Sequence, residues 1–293
     1  MASSLRDSVL EETKEQADAE KGNVALLQRP FAIEFWLYIT FDAGDPFFDS
    51  TEREVEIRAW LAAQIREPLA AMGVVFKSTL LKFENKIHKP GPAFNFMMAA
   101  AYGDGADYLY RVNDDTRFVG AWAAQAIDAL RRMQPPNVGV VGPICEQGNT
   151  AILTHDFTHR THLDIFPSYY PPIFSDWWMD DWITRVYANR MRRGPFRVEH
   201  VIEYQGTRYA VDFTHQAKIN SELSRGQMLI TQWIKTHASK RAAPVSSPLR
   251  RISNKRIGRP LSSQPLNTRK LPVVGPVRKV GSRPRKYVAA VSD

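Results

Sequence analysis

Apolar residues in this chain gather into short runs separated by helical stretches and turn formers. Residues 35–41 are a nearly continuous apolar and aromatic run, the pattern of a strand covered on both faces, and the run stops at an acidic turn holding Asp42, Gly44, Asp45 and Pro46. Ile57, Trp60, Leu61, Ile65 and Leu69 then recur at helical spacing, with Asp49 or Ser50 placed to cap the start and Pro68 to kink or divide the helix. Residues 74–83 read as a strand, 91–103 as a helix opened by Gly-Pro and closed by Gly103, 108–112 as a short buried strand, 121–133 as a helix and 137–143 as another strand. That alternation predicts a βαβ sheet with parallel neighbours.

The second half changes character. Residues 151–166 and 196–204 read as strands around an amphipathic helix at 175–191, an acceptor-side extension of the same domain, and a last helix at 215–238 closes the fold. Residues 1–30 are polar and helix-compatible without a clear apolar face, which predicts a flexible leader. From about Ser239 apolar periodicity vanishes among Pro, Ser, Arg and Lys, which predicts a disordered basic tail over 239–293. The expected domain is 31–238.

Composition sharpens this picture in three ways. A hydrophobic share of 44% over 293 residues is ample for a core. Cys145 is the single cysteine, so an intramolecular disulfide and a cysteine metal cluster are both excluded, and a buried, inert thiol is expected. The formal charge of +8 is unevenly placed: 15 Lys and Arg face one acid from Lys235 onward, while the preceding residues carry 24 against 30. The globular part is therefore acidic and the basicity belongs to the tail, which suits weak contact with nucleic acid or an anionic membrane by counterion release. No secretory signal and no apolar window of membrane-spanning length is present, which reads as a cytoplasmic protein with Golgi association left open.

The chemistry gathers in two acidic stretches. A buried strand that ends at Asn113, Asp114, Asp115 and Thr116 delivers hard oxygen ligands to a sheet rim, where open α/β sheets bind their ligands. Adjacent acids that face one cavity repel, and a hard cation such as Mg²⁺ or Mn²⁺ relieves the repulsion while leaving positions for phosphate. The same triplet also suits an Asx turn that caps the next helix. The second stretch, "SDWWMDDWI", places Asp180 and Asp181 about 100° apart on a helix, so only one of them can face a given ligand. Around it, Tyr169, Tyr170 and Trp177 could stack on a ring, although core packing is the commoner use. His155, His159 and His162 lie close in sequence, but in a strand two of them share a face and the third lies opposite, against a zinc site. Lys89 offers a counter-charge to diphosphate, Arg160 a bidentate grip on phosphate, Asn95 a polar reader of base or sugar, and Gly91 room for close backbone approach.

"YLYRVNDDTRF", following "GPAFNFMMAAAYGDGAD" and preceding "VGVVGP", resembles the Asp-x-Asp region of GT-A glycosyltransferases, enzymes that use nucleotide-diphospho-sugars. "FWLYITFDAGDPFFD" is similar to the nucleotide-binding first strand of that fold, and "WWMDDWI" to its acceptor-side acidic helix start. The resemblance covers about residues 31–235 and implies an α/β, Rossmann-like mixed sheet flanked by helices. It implies metal binding by Asp115 and Asp114, with Asn113 standing where an aspartate is usual, and a further histidine ligand from late in the chain, His215 in preference to His200. It implies that Asp42 and Asp45 meet nucleoside and ribose, and that Asp180 or Asp181 is the base for an inverting transfer. The expected function is then a Mn²⁺- or Mg²⁺-dependent hexosyltransferase, moving a sugar from a nucleotide-diphospho-sugar donor to a hydroxyl acceptor. The competing expectation is a catalytically silent GT-A-like binding protein or adaptor that works through its tail.

Overall fold

The computed structural model describes residues 1–22, 33–201, 210–242 and 285–292. The aromatic run at 35–41 lies inside β1 (Ile33–Asp42), buried through most of its length, and β1 pairs in parallel with β2 (Val75–Phe83). β3 (Tyr108–Asn113) is the expected buried strand, and a two-residue turn leads from it into β4 (Thr116–Val119), which the pattern did not foretell. β5 (Val140–Ile144), β6 (Asp156–His159), β7 (Met191–His200) and β8 (Arg285–Ser292) complete an eight-stranded sheet in the order β2-β1-β8-β3-β6-β5-β7-β4. β6 runs antiparallel to β3 and β5, and β4 antiparallel to β7, so the sheet is mixed.

Alternation along β3 splits its side chains between two cores. Tyr108, Tyr110 and Val112 join Ile65 and Leu69, together with residues of α1 (Ala2–Gly22) and α5 (Ala123–Arg131). Leu109 faces the other way, into a core with Met97 and Met98 of α4 (Pro90–Gly103), Trp182 and Ile183 of α7 (Trp178–Val186), and Ile219, Leu223 and Ile230 of α8 (Ile219–Ala242). A period of two thus sends Arg111 and Asn113 to the α4–α7 side.

Several expectations are corrected. The N-terminal segment is no loose leader: α1 buries Leu5 and Val9, and its Glu12 carboxylate is buried too. Residues 23–30 lie outside the described residues. The long helix at 49–72 divides into α2 (Thr51–Leu61), a π-helical turn at Ala62–Arg66 and α3 (Glu67–Ala71), in whose first turn Pro68 sits. Proline cannot donate to the carbonyl four residues back, and Arg6 of α1 donates to that Gln64 carbonyl instead, at 3.2 Å. The stretch 151–166 is strand only over β6, and α6 (Thr161–Ile165) follows it. Of the expected strand at 196–204, residues 196–200 belong to β7 and 202–204 lie outside the described residues. The tail is corrected at both ends, because residues 239–242 belong to α8 and 285–292 form β8, while 243–284 lie outside the described residues. Among the described residues no helix is long and apolar enough to cross a membrane.

Candidate functional site

The C-terminal ends of β1 and β3 and the N-terminal ends of α4 and α7 converge at one rim of the sheet. Just beneath it, Arg111 is 2% exposed. β6 runs antiparallel beside β3 and sets Asp156 in register with Arg111, so a buried cation and a buried anion are cross-strand partners. Arg111 Nε donates to Asp156 Oδ2 at 3.1 Å and to the Tyr170 hydroxyl at 2.9 Å. Its Nη1 donates to Asn113 Oδ1 at 3.2 Å and to the Thr154 carbonyl at 2.5 Å, and its Nη2 to Asp180 Oδ1 of α7. The Phe94 and Tyr170 rings lie against the guanidinium at 5.0 and 5.8 Å. Asp156 is saturated from the other side, its two oxygens accepting from the Tyr169 and Tyr170 hydroxyls at 2.5 Å each.

Electrostatics follow from this geometry. Burial raises the Asp180 carboxyl to about 6 against the lowering pull of Arg111. Burial and Asp156 hold Tyr169 far above the ordinary phenol value, and burial does the same for Tyr170, so both act as neutral donors. Asp181 is also raised by burial, but less, with Arg185 opposing. Of the two neighbouring acids, Asp180 is the one turned into the network, and it keeps 20% of its side chain accessible.

Other predicted residues are employed elsewhere. Asn95 forms a two-bond clamp on the Tyr170 backbone, its Nδ2 donating to the carbonyl at 3.1 Å and its Oδ1 accepting from the amide at 2.7 Å, which commits its amide to holding that loop. Asp45 caps its own loop by accepting from the Phe47 and Phe48 amides at 2.8 Å each. Asp42 stays partly exposed at the end of β1, with exposed His88 3.7 Å away. Lys89 is committed to fully buried Asp176 at 2.7 Å, a poor arrangement for a free diphosphate grip. Gly91 does allow close approach, but to the chain itself: a Cβ there would lie 2.7 Å from the Phe174 carbonyl oxygen. Arg160 lies over the Tyr102 ring and donates to the Ala106 carbonyl at 3.4 Å. Tyr169 and Tyr170 are core residues rather than sugar platforms, while Trp177 is exposed.

The predicted metal set does not assemble. Asp114 and Asp115 form the β3–β4 turn, and the Asp115 carbonyl accepts from the Val201 amide at 2.8 Å, which brings His200, not His215, beside Asp115. His200 Nε2 is 3.3 Å from His155 Nε2, which in turn lies 2.7 Å from the Thr116 hydroxyl. Burial and the paired ring hold His155 well below the ordinary imidazole value. His215 sits instead between Asp176 and Asp212, at 3.6 and 3.4 Å. His159 and His162 have partners of their own, Thr161 and Tyr187, so the three clustered histidines diverge. Among the described residues no group of three or more His, Cys, Asp or Glu side chains could hold a metal ion.

Sequence reasoning missed Arg111 and Asp156. The available signal was a charged residue inside each of two runs otherwise buried, at 108–112 and 156–158. No protein-family model and no curated protein matches the chain.

Proposed function

We propose that this chain is a glycosyltransferase of the GT-A kind, which moves a hexose from a nucleotide-diphospho-sugar to a hydroxyl acceptor with Asp180 as the base. The observation that carries this reading is Asp180 itself: a carboxylate raised to about 6, partly accessible, fixed at the C-terminal rim of a mixed sheet beside Asn113 and the Asp114–Asp115 turn. In an inverting transfer Asp180 takes the acceptor's hydroxyl proton as that oxygen bonds to the anomeric carbon. The bond from that carbon to the diphosphate breaks in the same step, and its electron pair leaves with the diphosphate. A base near pH 6 is suited to holding the proton only transiently. Asp42, the last residue of β1, is the side chain this reading assigns to a donor hydroxyl. Among the described residues no set of ligands matches the Mn²⁺ or Mg²⁺ of GT-A enzymes, and no step above passes through one.

The reading is tested by thermal shift of the whole chain with a panel of uridine and guanosine diphospho-sugars, followed by product detection with mixed hydroxyl acceptors. A ligand at about 100 times its Kd adds about 2.7 kcal/mol, a shift of several degrees. The expected result is a donor-specific shift that Asp180→Asn preserves, together with transfer that Asp180→Asn abolishes. Absence of a shift with every donor overturns the reading. A shift without transfer would instead support a silent nucleotide-sugar-binding domain.

A further inference from the structure

We propose that Arg111 is the resident cation of this site, a positioning residue whose guanidinium ties Asn113, Asp156 and Asp180 together in the structural place a divalent metal would take. For the reaction this rests on the glycosyl-transfer reading above; for the site's architecture it stands on the geometry alone.

Three features of the donor set carry it. First, every nitrogen of the guanidinium is engaged, with Nε on Asp156 and Tyr170, Nη1 on Asn113 and Thr154, and Nη2 on Asp180. A planar fork of five N–H groups can serve acceptors in several directions at once, which the point charge of a lysine cannot. Second, two oxygens of this rim are already directed at the guanidinium. Asn113 Oδ1 and Asp180 Oδ1 both accept from it, and Asp115 is held by its carbonyl in the turn with an exposed side chain. Third, aromatic walls close the cation in, with Phe94 and Tyr170 against its plane. A hard divalent ion retains waters and asks for several oxygens around one point, whereas this enclosure offers ring faces and acceptors spread around a plane. The guanidinium, more weakly hydrated than an ammonium, loses less than a lysine would on entering it.

The cation and its acids were placed by separate parts of the chain: Arg111 by β3, Asp156 by β6 and Asp180 by α7. Arg111 therefore couples the turn that carries Asp114 and Asp115 to the helix that carries the base. Because it is buried, it acts through Asn113 and Asp180 and not by touching substrate.

The test uses the full chain and three probes: MnCl₂, EDTA, and uridine or guanosine diphosphate. For the wild type, the melting temperature is expected to be the same in Mn²⁺ and in EDTA, and nucleoside diphosphate to bind equally in both. A saturable Mn²⁺ shift that Asp115→Ala removes would overturn the proposal on the wild-type chain alone. In Arg111→Ala the vacated space leaves two carboxylates facing each other, and methylguanidinium is expected to restore much of the lost melting temperature, which ethylammonium of the same charge does not. Equal rescue by the two cations, or none, counts against the proposal. Should Arg111→Ala not fold, Arg111→Lys supplies a readout a merely structural role would not move: carboxyl NMR of Asp180, whose titration midpoint is expected to shift from the wild-type position. An unmoved midpoint overturns the positioning role. If no nucleotide binds under any condition, the transfer reading fails, while the metal and rescue measurements still decide the role of Arg111.

Discussion

Asp180 and Asp181 are adjacent, but one helical step turns the first toward Arg111 and leaves the second beside Arg185. The raised value of Asp180 has a definite sign in two measurements. In the unfolded chain its carboxyl titrates near 3.8, and in the fold near 6, because burial disfavours the charged form. Its contribution to stability is therefore fully present below about 3.8 and is lost as pH rises to about 6, opposite to the ordinary salt-bridged acid. For a base the same shift means that transfer should fall on the acid side with a midpoint near pH 6, as the proton occupies the oxygen that must accept one. A pH profile of kcat measures this, and a profile flat from pH 5 to 7 would remove Asp180 from the reaction. The sequence offered this pair for the proposed base, and helix geometry allows only one of them to face a given ligand. Choosing between them required Arg111, a residue 69 positions away. A charge inside a strand pattern reads as a solvent-facing position until its partners in other elements are known, so the centre of the network was hidden while its rim residues were legible.

At the scale of elements, α1 shows how a buried face can escape notice. Its buried positions are Leu5, Ser8, Val9 and Glu12, at helical spacing but half of them polar, so no apolar stripe announces them. Glu12 earns its burial at the start of α5. The residue before that helix, Trp122, provides no side-chain cap, and the Glu12 oxygens instead accept from the amides of Trp122 at 3.4 Å, Ala123 at 2.9 Å and Ala124 at 2.6 Å. One helix thus caps another, and the first-turn donors that a helix leaves unpaired are satisfied from 110 residues away. Glu12→Ala should leave those amides buried without acceptors and cost about 2 kcal/mol. Glu12→Gln, which keeps one acceptor oxygen, should recover part of that loss. Urea midpoints decide between the cases: an Ala variant as stable as the wild type would show that α1 docks by its apolar residues alone. The elements of the middle of the chain, by contrast, were readable because their cores are apolar at a single period, as in β1 and β3.

For the whole molecule, the least legible feature is the order of the sheet. Local patterns gave most strands but could not show that β6 is antiparallel, nor that β8 lies between β1 and β3. The last segment reads as part of a basic tail because Lys and Arg dominate its surroundings, yet residues 287–291 are a short apolar run bounded by polar residues on both sides, long enough for a strand. β8 pairs in parallel with both neighbours, Ile33 through Thr40 of β1 on one side and the whole of β3 on the other. Its Ser292 lies in register with Asn113 and with Thr40, so the strand holds together the two ends that form the candidate site's rim. Without β8, a row of backbone donors and acceptors on β1 and on β3 would lose its partners in the middle of the sheet, which a protein interior tolerates poorly. A chain ending at residue 284 should therefore unfold at a clearly lower urea concentration and with reduced cooperativity, followed by circular dichroism. A synthetic peptide of residues 285–293 added to that shortened chain should restore stability by strand addition, in proportion to its concentration. An unchanged midpoint in the shortened chain, or a peptide without effect on a destabilised one, would mean that β1 and β3 are held together by other parts of the fold.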